Sequence, residues 1–185
     1  MAKTKSKGVR GHGKGSSKRR RQNNLPWILG IGGVAVLIAL PIVVNAVRLS
    51  GLPGEGYRSQ GNLHISLGTA HVPYNSNPPT SGPHTPNLAN WGSYVEIQPD
   101  ERLVHNMEDG GVILWYLGGT PEENEAHVAA LEDVAQGYRR VVIAPREEMP
   151  ATYALTAWQR LQRFEEIDQE AMREFIDAFE GVDHH

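Results

Sequence analysis

From Trp27 to Ala46 the chain runs for 20 residues without an ionisable side chain. About 20 apolar residues are enough to span a bilayer as a helix, so this run divides the sequence into two environments. Trp27 opens it and Arg48 closes it, residue types that sit at membrane–water boundaries. Pro41 is tolerated inside a membrane helix. Residues 1–24 carry nine Lys and Arg and no acid, which assigns that end to the cytoplasm and residues 50–185 to the outside. A cleaved signal peptide is the alternative, with Val44-Asn45-Ala46 offering small residues for cleavage after Ala46. The apolar run, however, exceeds the ~7–15 residues of a signal-peptide core. The expected organisation is a basic, unfolded cytoplasmic tail (1–24), a signal-anchor transmembrane helix (25–48), a Gly-rich linker (49–61) and an extracytoplasmic domain (62–182), at the cell membrane. Lys18-Arg19-Arg20-Arg21 is a run that could contact nucleic acid. The membrane segment behind it already accounts for the charge, so no nucleic-acid partner is expected.

Composition narrows the chemistry of the outer domain. Residues 49–185 contain eight Arg, no Lys and all 21 Asp and Glu of the chain. Cysteine is absent, which excludes disulfides, thiol catalysis and thiolate-held zinc, haem or iron–sulfur sites. A bound metal would need His, Met, carboxylate or backbone ligands.

The outer domain changes character near residue 100. Residues 62–100 hold six prolines, which rules out regular helix and disfavours long strands. So long an irregular segment in a compact domain is expected to be functional or disordered. Its interleaved His64, Tyr74, His84, Trp91 and Tyr94 argue for order. Beyond it, Gly111–Leu117 reads as a buried strand. Thr120-Pro121-Glu122-Glu123 is a helix start, with Thr at N-cap, Pro at N1 and Glu at the capping-box position. That helix is expected to run to about Gln136 and stop at Gly137. Arg140–Ala144 is a second strand, ended by Pro145, and Tyr153–Trp158 a third. Asp168 caps a last helix whose Ala171, Met172, Phe175, Ile176 and Phe179 form an apolar stripe, stopped at Gly181. The order predicts an α+β fold, a small mixed sheet with about two helices on one face.

Four histidines, His64, His71, His84 and His105, fall within 42 residues of this domain. Imidazole is the commonest metal ligand. If Val104–Asp109 is extended, His105, Met107 and Asp109 share one face and offer nitrogen, thioether and carboxylate to one ion. Thioether favours soft copper, and imidazole suits several transition metals. The Pro-stiffened loop around Pro78, Pro79 and Pro83 would hold His84 in place before an ion arrives. The alternatives are a hydrogen-bonded core His105 with Met107 filling a gap, and a structural loop whose Asn and Ser side chains satisfy turn backbones. Glu108 is a candidate general base beside a His-bound metal. No serine-hydrolase, zinc-protease or phosphate-loop motif is present. His184-His185 reads as a frayed end.

The segments YNSNPPTSGPH (Tyr74–His84), VHNMEDGG (Val104–Gly111) and LTAWQRLQR (Leu155–Arg163) together resemble one bacterial family, the domain-of-unknown-function family 3105, over about residues 60–180. The resemblance implies a basic N-terminus, one membrane segment and an outer domain, and no activity. The family's usual motif reads like HNLEHGG; here Asp109 stands in the second-His position and Met107 in the Leu position. That departure replaces a two-imidazole pair with a mixed N/S/O set. The expectation is therefore a membrane-anchored outer domain binding copper, ahead of zinc, through His84 and His105, then His71 and His64, with Met107 and Asp109 as supplementary ligands. The rival readings are a structural accessory subunit of a larger membrane complex, and a metal-dependent enzyme with Glu108 as base.

Overall fold

A computed structural model describes residues 51–185. The basic tail and the transmembrane helix expected upstream lie outside the described residues. Among the described residues no helix is long and apolar enough to cross a membrane.

The domain is α+β, with a six-stranded mixed sheet and three helices. In chain order the elements are β1 (Glu55–Gly56), β2 (Gly92–Ser93), α1 (Asp100–Glu108), β3 (Val112–Leu117), α2 (Pro121–Ala135), β4 (Val141–Arg146), β5 (Tyr153–Ala157), β6 (Arg160–Phe164) and α3 (Gln169–Phe179). The sheet order is β1-β6-β5-β3-β4-β2. Strand β3 pairs parallel with β4 across the α2 crossover and antiparallel with β5. The LTAWQRLQR segment is the β5–β6 hairpin, turning at Trp158-Gln159 with Gln159 at φ 63°.

Both faces of the central strands are buried, which is why β3 reads as an unbroken apolar run. Val112, Leu114 and Tyr116 point to one face, where Leu131 and Val134 of α2 and Met172, Phe175 and Ile176 of α3 cover them. Ile113 and Trp115 point to the other, against Leu103, Val104 and Met107 of α1. The expected caps are present. Thr120 and Glu123 form a reciprocal capping box, and the Asp168 side chain accepts from the Ala171 N–H.

Three expectations change. Residues 104–109 are not extended: Asp100–Glu108 is a helix on the sheet face opposite α2 and α3. Its apolar residues Leu103, Val104 and Met107 recur at helical spacing, i, i+1 and i+4. The stretch read as a linker already belongs to the sheet, since Glu55–Gly56 pairs with β6. Strand β4 also runs on through Pro145. β2 reaches only Val142 and Ile143, so at Pro145 that edge needs no N–H donor.

The Pro-rich segment is irregular but ordered by burial. Residues 78–85 are buried. Their backbone is tied to neighbouring loops: Gln159 N–H donates to Thr80 O, Gly82 N–H to Gly61 O, His84 N–H to Leu63 O and Ile65 N–H to His84 O. The last two bonds set His64 beside His84 as an isolated parallel bridge.

Candidate metal centre

Helix α1 and this loop bring four potential ligands together. One ligand atom from each of His64, His84, His105 and Glu108 lies within 4.8 Å of the other three. His105 and Glu108 come from α1, three residues apart and so on one helix face. His64 and His84 come from the two bridged loop segments. With metal bonds of ~2.0–2.2 Å, two ligands of one ion stand ~2.8–4.4 Å apart, so a small inward movement would close this cage on an ion.

Glu108 is the hub. Its Oε2 lies 2.8 Å from His84 Nε2, 3.5 Å from His64 Nε2 and 3.9 Å from His105 Nδ1. The Glu108 side chain is 1% exposed and the His84 side chain fully buried. On the far side of its ring, His84 Nδ1 is 2.8 Å from Gly82 O. A carbonyl oxygen only accepts, so Nδ1 carries the proton and donates. A neutral His84 then directs a bare Nε2 lone pair at a carboxylate oxygen 2.8 Å away. Two acceptors at that distance require a proton or a metal ion between them, and the proton can sit on the imidazole or on the carboxyl. A proton would satisfy that one contact. It would leave Glu108 Oε1 and His105 Nδ1, both buried without a hydrogen-bond partner. Each such orphan costs ~1–3 kcal/mol. An ion held by Nε2 of His84, with Nδ1–H on a backbone carbonyl, is the usual arrangement of a ligating histidine. Burial is the main cause that holds His105 below its ordinary pKa; Asp109 and Glu108 oppose it, and the neighbouring His84 and His64 add to it. Its lone pair therefore stays available to lower pH.

The remaining sequence candidates fall elsewhere. His71 is outside the cluster: its Nδ1 lies 2.7 Å from Val72 O, and its Nε2 faces Glu101 at 3.9 Å. Met107 is fully buried in the apolar layer between α1 and the sheet. Two residues along a helix turn the side chain by ~200°, so the helix that corrects the extended reading also carries Met107 away from His105. Asp109, at the C-cap of α1, sits at the rim, with Oδ1 3.9 Å from His105 Nε2.

The end read as frayed covers the site instead. Gly181 N–H donates to Gly110 O and His184 N–H to Glu108 O. The His184 ring stacks on Trp158 at 5.9 Å, and His185 Nε2 contacts Asp109 Oδ1 at 2.6 Å. His185 Nδ1 is 3.8 Å from Glu108 Oε2. Hydrogen bonding to Asp109 chiefly raises the pKa of His185. Gly110, at φ 76°, permits this crossing, because a Cβ there would come within 2.9 Å of the Gly181 and Val182 backbone.

An α+β domain carrying a three-histidine, one-glutamate cluster, buried except at His64, is thus the class that fold and site define. The model of a family described as a protein of unknown function, DUF3105, matches residues 64–184, and the chain belongs to that family. No curated protein and no solved structure matches.

Proposed function

We propose that this domain binds one transition-metal ion through His64 Nε2, His84 Nε2, His105 Nδ1 and the Glu108 carboxylate, whose two oxygens can both reach the ion, and displays it outside the cytoplasm from a membrane anchor. The observation that carries the reading is the buried meeting of the His84 Nε2 lone pair with Glu108, beside two further polar atoms that lack partners. Three imidazoles and one carboxylate, with no thioether, suit Zn(II) or Cu(II) rather than Cu(I). By the divalent series Cu(II) would bind the more tightly. Glu108 acts here as a ligand rather than a detached base, which favours binding, delivery or ligand capture over hydrolysis. The anchor rests on the uncharged Trp27–Ala46 run and the basic residues before it.

Metal content of the full-length chain tests the site. One equivalent of Zn(II) or Cu(II) per chain is expected, with affinity falling at least ~100-fold, about 2.7 kcal/mol, in His84→Ala, His105→Ala and Glu108→Gln. His71→Ala and Met107→Leu should bind as the wild type does. Stoichiometric binding that survives His84→Ala and His105→Ala together would remove this site. A reporter fused after residue 185 should be active only if exported; cytoplasmic activity would overturn the topology.

A further inference from the structure

Arg102 lies one helical turn before His105 on α1. It lines a cavity of about 430 Å³ together with His64, Ser66, Leu67, Thr85 and Asn87. Its Nε is buried and has no hydrogen-bond partner. The domain holds 21 acids against eight arginines, and other arginines have found carboxylates: Arg146 grips Asp100 through two bonds, and Arg163 meets Glu55. Among the described residues Arg102 is paired with none of them. A half-buried arginine that lines a cavity without a carboxylate partner, in so acidic a domain, is suited to an external acceptor. The same cavity reaches His64, the cluster residue with the most exposed side chain (47%, against 9% or less for the other three). The accessible edge of the metal centre and the unpaired cation therefore open into one space.

We propose that this cavity binds a small oxyanion, a carboxylate or phosphate group, whose oxygens pair with Arg102 and whose near edge faces the ion at His64. Arg presents parallel N–H donors that match two oxygens of such a group. Arg102 and His105 stand three residues apart on α1 and so on one helix face, which puts the guanidinium on the side of the helix that carries the cluster. Ser66, Thr85 and Asn87 supply polar groups around the anion, and Leu67 an apolar wall. The volume suits a small molecule rather than a peptide. The bridging half of this proposal rests on the metal reading above; recognition by Arg102 does not.

The test uses full-length chain with arginine side chains labelled with nitrogen-15, prepared metal-free and with one equivalent of zinc. Each form is titrated with inorganic phosphate and, separately, with acetate, which distinguishes the two oxyanion classes. The Arg102 Nε–H resonance should shift saturably with at least one anion, and at lower anion concentration in the zinc form. By calorimetry Arg102→Met should weaken that anion at least tenfold with zinc content unchanged, and Arg102→Lys should fall between. If neither anion moves the Arg102 resonance in either form, or if Arg102→Met binds as tightly as the wild type, the anion site is wrong. Should Arg102→Met fail to fold, the wild-type resonance alone decides. If the anion shifts Arg102 but the chain takes up no zinc, the metal reading fails and only bridging falls with it. Equal affinity with and without zinc overturns bridging alone.

Discussion

The two faces of the sheet are built to different rules. Under α2 and α3 the layer is apolar throughout, with Leu114, Leu131, Phe175 and Ile176 all fully buried. Beneath α1 and the Pro-rich loop, buried apolar residues share the space with Thr80, Ser81, His84, Asn106 and Glu108. Polar burial is tolerated where partners exist: Asn106 both donates to and accepts from the Ala89 backbone, at 2.9 Å each way. At Glu108 and His105 partners are missing. One face stabilises the fold and the other holds a site at some cost to it, the usual division between scaffold and function.

Substitutions should separate the faces. The largest effect is expected from Phe175→Ala, which empties the apolar face and should cost ~3–5 kcal/mol in denaturant unfolding, with metal affinity in the folded fraction unchanged. A parallel loss of affinity would show that the two layers are coupled. Next comes Glu108→Gln, where the faces should part in sign. Affinity for Zn(II) should drop at least ~100-fold, about 2.7 kcal/mol. The metal-free protein should be as stable as the wild type or more so, because the amide can donate to His84 Nε2. Destabilisation of the metal-free form would mean that an imidazolium–carboxylate pair, not an ion, is the native state of the contact. Thr120→Ala removes a cap far from the site and should cost ~1 kcal/mol without changing affinity, as melting curves with and without zinc would reveal. The smallest effect is on pH. Burial holds the folded pKa of His105 and of His184 below 6.5. Their contribution is present above that value and lost as pH falls through the folded pKa. The metal-free chain should therefore melt at lower temperature at pH 5 than at pH 7. His185, raised by Asp109, acts in the opposite sense and loses its contribution as pH rises above 6.5. A flat profile across this range would mean that the cluster is no drier than bulk solvent.

Legibility followed the same division. Thr120–Glu123 and Asp168 announced their helices because capping is local chemistry, and the α3 stripe was legible because one face of it is uniformly apolar. Helix α1 was missed. Pro99 is its N-cap and makes no side-chain cap bond, and most of DERLVHNME is polar. Its signals were weaker: acids in the first turn, and Leu103, Val104 and Met107 at helical spacing. The mistake propagated, since an extended segment groups 105 with 107 and 109, whereas a helix groups it with 108. His64 and His84 were expected to meet as ligands of one ion, but the sequence offered only their nearness along the chain as a reason. What joins them is a backbone bridge between loop segments, which no residue pattern announces. The role of His184 and His185 was hidden for a related reason, being fixed by a main-chain bond from His184 and a side-chain contact from His185 to residues more than 70 positions earlier.

That last attachment has a consequence for how such chains can diverge. The segment over the site is fastened by amide-to-carbonyl bonds from Gly181 and His184 to Gly110 and Glu108, and those bonds are indifferent to the side chains that Val182 and Asp183 carry. Relatives can therefore be expected to vary freely along this strap and still close it. Position 110 has no such latitude, because any side chain there must adopt φ 76° and displace the strap that crosses it. A single residue without a side chain thus sets how much freedom its distant neighbours have to drift.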